Sequence, residues 1–379
     1  MSDNGFTQVI DDAIEKVGEI GRNAGEAIRD FKESDNMGKL AGSVKKGAKT
    51  AASGVAKGAK IAAGGVMDGG KIVSETIKSN AKERAERRAY RSNMHQGELT
   101  PDTVFTLKNG VCIPTVGFGT YLATENGGRQ VILDALEAGY RYLDTARFYQ
   151  NEKEIGEAIE ESGIPRDDIF IASKVWPTML GEEKIRESFE ASCKDLGTDH
   201  LDMFLIHWPK VSQSDEEWKE KLAASWKVME ELYKEGRIRA IGLSNFLPHH
   251  IRPLLESASI RPMLDQLELH VGYMQEYTLE YLKSEKILPQ AWSPLGRAVM
   301  LDDERVIKIA NAHEVSAAKV LLRYLVQRGI PVIPKASTMA RMKANMEIFD
   351  FSLTEDEISY LSCIPEKGWS TEHPDLVEW

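Results

Sequence analysis

Cysteine is scarce in this 379-residue chain: Cys112, Cys193 and Cys363 are odd in number, scattered, and far from any C-x-x-C or Cys/His spacing. That excludes a disulfide framework and a zinc site, predicts no bound metal, and fits a reducing compartment. No run approaches the roughly 18 consecutive apolar residues of a membrane span. The start, Met-Ser-Asp-Asn-Gly-Phe, lacks the basic-then-apolar pattern of a secretory signal, so the cytoplasm is the expected location. An excess of positive charge is missing as well. With 48 basic against 59 acidic side chains the net charge is −11, which argues against a nucleic-acid partner. What is present, 42% hydrophobic residues, suffices for a large buried core.

The charge is unevenly spread. Residues 39 to 91 hold thirteen Lys or Arg against four acids, are rich in Ala and Gly, and contain no proline, whereas every Trp lies beyond residue 101. Within this stretch Val44, Val55, Val66 and Ile77 recur at intervals of eleven, with Gly47, Gly58 and Gly69 and with Lys49, Lys60 and Lys71. A period of eleven keeps equivalent positions on one face of a slightly unwound helix. The consensus VxKGAKxAAxG resembles the repeats of synuclein-like and desiccation-related proteins. Two readings stand side by side: a weak, reversible contact with an anionic membrane surface through a Val/Ala stripe edged by lysines, or a soluble disordered tail. Before it, Val9, Ile10, Ala13, Ile14, Val17, Ile20, Ala24, Ile28 and Phe31 fall at helical spacing. Three segments are therefore expected: an amphipathic helical segment over 1–38, a basic repeat and linker over 39–100, and a folded domain over 101–379.

In the third segment a hairpin pattern comes first, Val104 to Leu107, a Lys-Asn-Gly turn at 108–110, then Val111 to Pro114. Strand patterns then begin near Val116, Arg141, Ile169, Leu201, Ile238, Met263, Leu288 and Val332, separated by helical patterns such as Arg129 to Glu137, Glu152 to Glu161, Glu182 to Leu196 and Glu216 to Glu235. Eight β/α repeats over some 280 residues predict an α/β fold, a (β/α)8 TIM barrel with an N-terminal β-hairpin cap, expected to be monomeric. A doubly wound sheet is rejected, because Gly117-Phe-Gly119-Thr-Tyr-Leu stops after two of the three glycines of a dinucleotide fingerprint.

Barrel enzymes place their chemistry at the C-terminal strand ends. There this sequence puts an acid (Asp144), a phenol (Tyr149), an amine (Lys174) and an imidazole (His207). A Lys near a Tyr is expected to lower the phenol's pKa, an Asp to pair with the Lys, and a neutral His to orient a carbonyl. Taken together these groups resemble the aldo-keto reductase family over about residues 103–370. Its D-x-A-x-x-Y-x-N-E string is matched by Asp144, Ala146, Tyr149, Asn151 and Glu152, its S-K-x-W string by Ser173, Lys174 and Trp176, and its H-W-P string by His207, Trp208 and Pro209. The resemblance implies that Tyr149 is the general acid, that Lys174 and Asp144 tune it, and that His207 polarises the substrate carbonyl.

The resemblance also implies a bound NADPH/NADP. Ser244 and Asn245, with Gln266, match the segments that hold the nicotinamide carboxamide. Trp292, Ser293 and Leu295 stand in the family's A-Y-S-P-L-G string, with Trp292 where a stacking Tyr is usual. Stacking should survive the exchange while the Tyr hydroxyl's hydrogen bond is lost. Lys335, Ala336, Ser337, Arg341 and Asn345 match the segment that grips the 2′-phosphate, with Ala336 where a Ser is common. Tyr121, Trp176, His207 and Trp208 would line the pocket for a small-molecule carbonyl. The tail from Gly368 to Trp379 is expected to close only part of its mouth. The implied activity is NADPH-dependent reduction of small aldehydes, methylglyoxal-like carbonyls or open-chain sugars. The competing class is a catalytically weak, cofactor-sensing binding module.

Overall fold

The computed structural model describes residues 99–379 apart from Asn126. The expectations for residues 1–38 and for the eleven-residue repeat lie outside the described residues. Strands β1 (Val104–Thr106) and β2 (Cys112–Pro114) pair antiparallel as the expected hairpin. Its turn residue Asn109 donates to the carbonyl of Arg239, at the N-terminal end of a barrel strand, so the hairpin caps the face opposite the site.

Seven parallel strands follow in sequential order: β3 (Phe118–Gly119), β4 (Tyr142–Asp144), β5 (Phe170–Val175), β6 (Leu201–Ile206), β7 (Ile238–Ser244), β8 (Leu264–Glu268) and β9 (Leu288–Trp292). Every residue of β5 and of β6 is buried, as expected of strands covered on both faces. Helices separate the strands: α1 (Arg129–Glu137), α2 (Glu152–Ser162), α3 (Glu182–Leu196), α4 (Trp218–Lys234), α5 (Pro248–Ser257), α6 (Glu276–Glu285), then α7 (Glu304–Ala312) and α8 (Ala317–Gln327). Past the last strand position come α9 (Met339–Met346) and α10 (Glu355–Ser362). The amphipathic spacing is visible in α1, which buries Val131, Ile132, Ala135 and Leu136.

The eighth strand position is reduced to Val332, which bridges both Ala291 of β9 and Val116 ahead of β3. Val332 donates to Thr115, Gly117 donates to Val332, Ala291 donates to Pro331, and Ile333 donates to Ala291, so the ring closes. The ladder is short because Pro331 and Pro334 have no N–H to give it. Closure also explains the glycine pair that stops short of a dinucleotide fingerprint. A Cβ on Gly117 would lie 2.6 Å from the Tyr142 ring, and one on Gly119 would lie 2.8 Å from the Ile333 carbonyl oxygen. The fold is the (β/α)8 barrel. Among the described residues no helix is long and apolar enough to cross a membrane.

Candidate active site

Asp144 ends β4, Lys174 lies in β5, and His207 follows β6, still bonded into the ladder through its N–H to Val175. A 3-10 turn, Arg147–Tyr149, brings Tyr149 back over the strand ends. The rest of the D-x-A-x-x-Y-x-N-E string fixes that turn. Asn151 donates to the carbonyl of Thr120 and accepts from the Thr145 hydroxyl, tying two barrel loops together. Buried Glu152 accepts from the hydroxyls of Ser173 (2.6 Å) and Ser192 (3.1 Å), and Arg147 bridges it to Asp195. Burial raises the pKa of Glu152.

Lys174 is fully buried, and its ammonium group spends all three hydrogens: on Asp144 Oδ1 at 2.5 Å, on the Thr145 carbonyl at 2.9 Å, and on Tyr149 Oη at 3.4 Å. Since Tyr149 Oη accepts, its own O–H proton is left free for another partner. Burial and the Asp144 carboxylate push the Tyr149 phenol well above its ordinary pKa. The net shift is upward, against the lowering expected from Lys174, because burial of the phenol is the largest effect. Burial lowers the pKa of Lys174, with Asp144 opposing. His207 is held well below the usual imidazole range by burial and by Lys174, so the ring is neutral at physiological pH. Its Nδ1 is buried without a partner among the described residues. The Tyr149 and His207 rings meet edge to face at 5.6 Å.

A polar chain crosses the barrel interior behind this cluster. Tyr142 donates to Gln290, Gln266 donates to both Gln290 (2.9 Å) and Asp144 Oδ2 (2.7 Å), and Asp144 leads on to Lys174. Gln266 thereby spends its donors inside the protein and keeps Oε1 to accept from an amide. The Ser244 hydroxyl bonds the Gln266 carbonyl, and Asn245, at φ +63°, donates to the His207 carbonyl. The indole of Trp292 donates to Asn245 Oδ1 at 2.8 Å. The residue that replaces the usual Tyr therefore makes a hydrogen bond of its own, where only a loss was expected.

Trp292, Ser293 and Leu295 are half-buried, with Ser293 at φ +46°. Beyond the closing strand, Lys335, Ser337 and Arg341 are exposed around the start of α9, while Ala336 and Asn345 are buried. The side chains of Lys335 and Arg341 form no ion pair or hydrogen bond among the described residues, leaving two cations open to an anion. A half-buried indole, three amide or hydroxyl side chains at adjacent strand ends, and these free cations together fit a nicotinamide dinucleotide. Of the expected pocket residues, Tyr121 packs on Tyr149 with ring centres 5.0 Å apart, Trp176 meets His207 edge-on at 5.1 Å, and Trp208 is buried beside them.

The profile of the Aldo/keto reductase family matches residues 116–365. The chain belongs to the aldo/keto reductase family. It is 40% identical over 274 residues to the 9,11-endoperoxide prostaglandin H2 reductase of Trypanosoma cruzi, covering 71% of this chain and 94% of that protein. It is also 40% identical over 276 residues to the glyoxal reductase of Bacillus subtilis, covering 72% and 96%. Among solved structures, an aldo-keto reductase enzyme from a deep-sea metagenome library superposes with TM-score 0.68 at 36% identity, covering 72% of this chain and 99% of that one. Membership makes the chain an oxidoreductase of that family.

Two neighbours of this cluster are not specified by the family strings: Phe148, at an unspecified position of the first, and Trp379, beyond them all. Phe148 stacks on Trp176 with centres 3.8 Å apart, and Trp379 packs against both Trp176 (4.8 Å) and Trp208 (5.2 Å). The tail thus reaches the aromatic wall of the mouth. The available signal was compositional: two tryptophans in the last eleven residues, with no strand or helix pattern to hold them.

Proposed function

We propose that the chain reduces aldehydes and ketones to alcohols with NADPH, acting on small-molecule carbonyls of the methylglyoxal or open-chain sugar kind. The observation that carries this reading is the hydrogen-bond count at Lys174, which leaves the Tyr149 proton free beside a neutral imidazole. When bound, a reduced nicotinamide supplies the hydride. Trp292 offers it a stacking face, Asn245 and the Gln266 Oε1 offer hydrogen-bond partners for its carboxamide, and Lys335 and Arg341 offer charge to a phosphate. Tyr149 and His207 converge on the carbonyl oxygen. Tyr149 donates its proton as negative charge builds there, and Lys174 then stabilises the phenolate left behind. The neutral His207 holds the oxygen in line without competing for the proton. A glyoxal reductase among the relatives supports small dicarbonyls as substrates.

The test is NADPH oxidation by the purified full chain with methylglyoxal, glyceraldehyde and aromatic aldehydes. Binding of NADPH without turnover of any of them would sink the reading. Arg341→Ala checks the cofactor. Losing a charged hydrogen bond to the 2′-phosphate should weaken NADPH about 10- to 100-fold. NADH, which lacks that group, should change by less than about twofold, as titration of the bound dinucleotide's fluorescence would show. Equal weakening of the two would remove Arg341 from the phosphate site.

A further inference from the structure

The segment after Gly368 has no helix or strand, yet it is pinned along its length across the barrel mouth. Ser370 gives its N–H and its hydroxyl to the Glu268 carboxylate at the end of β8. Glu372 pairs with Arg297 at 3.3 Å, from the loop that follows β9. Asp375 is held most tightly. Its Oδ1 lies 3.0 Å from His249 Nε2, 2.9 Å from His250 Nε2 and 3.4 Å from Lys210 Nζ, and His373 Nδ1 lies 3.9 Å from Oδ2. Four residues later Trp379 donates its N–H to the Val211 carbonyl and presses its ring on Trp176 and Trp208.

The His249, His250 and Asp375 atoms also lie close enough together to suggest a cation site, all within 4.8 Å. The tautomer of His250 speaks against that. Its Nδ1 accepts the N–H of Leu247, so the proton of the neutral ring sits on Nε2, the atom that faces Asp375. That nitrogen has no lone pair for a metal, and Lys210 already places a positive charge on the same carboxylate oxygen. The cluster is built to hold a carboxylate. Although burial opposes it, the hydrogen bond from His249 and the surrounding charges hold the Asp375 carboxyl down to about 2, so it stays ionised.

We propose that Asp375 is a positioning residue whose latch on His249, His250 and Lys210 holds Trp379 as the outer wall of an aromatic corner with Trp176 and Trp208, so that the site also grips aldehydes with a flat aromatic tail. This rests on the reductase reading. The corner touches the reacting end of the pocket, because Trp176 meets both Trp379 and His207. Flat rings gain from such walls through offset and edge-on packing, whereas a three-carbon dicarbonyl has no ring with which to make those contacts.

The experiment uses the full chain, Asp375→Ala, Asp375→Asn and Trp379→Ala, with two readouts. The first, taken without cofactor, is acrylamide quenching of Trp379, read as the difference between each chain and its Trp379→Phe counterpart. The second is KM and kcat for benzaldehyde and for methylglyoxal. Asp375→Ala should make Trp379 several-fold more quenchable, with Asp375→Asn between it and the unaltered chain. Asp375→Ala and Trp379→Ala should both raise KM for benzaldehyde about five- to tenfold, the worth of one lost aromatic contact. In both, kcat and the methylglyoxal KM should stay within about twofold, a margin well below that loss. Unchanged quenching in Asp375→Ala overturns the latch. Equal effects of Trp379→Ala on both aldehydes overturn the aromatic corner. A chain that reduces neither aldehyde, but whose Trp379 is released in Asp375→Ala, upholds the latch and overturns the reductase reading and with it the grip on aromatic aldehydes.

Discussion

Tyr149→Phe should lower the rate of carbonyl reduction by about 10²- to 10⁴-fold, the range general acid catalysis contributes, while leaving NADPH affinity nearly unchanged. The ring stays, so its packing against Tyr121 and His207 is retained, and Lys174 keeps two of its three acceptors, Asp144 and the Thr145 carbonyl. Only the hydroxyl is removed, and with it the proton and the third acceptor of Lys174. His207 cannot take over, since burial and Lys174 keep its imidazole neutral at physiological pH. The same assignment fixes a pH dependence. Reduction needs the protonated phenol, which is present below its pKa and lost as pH rises through it. Because the Tyr149 pKa is raised, the alkaline fall in rate should lie above the ordinary phenol value of about 10. A Tyr149→Phe chain with most of its activity, or an alkaline limb near neutrality, would remove Tyr149 from the role. Steady-state rates across pH measure both.

Lys174→Met should cost both catalysis and stability. The ammonium and the Asp144 carboxylate form a pair in which each side chain is almost fully buried. Removing one partner strands a buried charge, a loss of about 3–5 kcal/mol. For a barrel of this size the midpoint of thermal unfolding should fall by on the order of 10 °C. Adding Asp144→Leu removes the stranded charge, so the double variant should melt above Lys174→Met while remaining as inactive. That ordering separates the structural role of the pair from its catalytic one. If the double variant melted no higher than Lys174→Met, the stranded-charge account would fail.

The tetrad was legible in the sequence because its members lie at or just past the ends of hydrophobic strands, inside fixed local strings, so that position along the chain stands in for position in space. The eight strand starts were legible for the same reason: burial on both faces makes each an apolar run with a sharp edge. Connections spanning the barrel carried no local mark. Gln290 reads as one polar residue in a strand, yet it links Tyr142 and Gln266 across the interior. The bond from Trp292 to Asn245 joins residues 47 apart. Asp375 meets His249 and His250 across more than 120 positions, and nothing in the irregular tail predicts where it lands. The direction of the Tyr149 shift was missed for a related reason. Proximity to Lys174 was readable, but the burial that outweighs it is a matter of packing.

The closing seam sets when the protein can work. All four tetrad residues lie between Asp144 and His207, in the first half of the barrel, and could be near one another once β4 to β6 have paired. The ring that keeps water from them is joined to the first strand by the short segment around Val332, more than 200 positions from Val116. A chain still emerging from synthesis therefore carries every reacting group long before it carries the wall that dries them. Catalytic competence thus requires the proline-flanked segment around Val332 to meet the first strand.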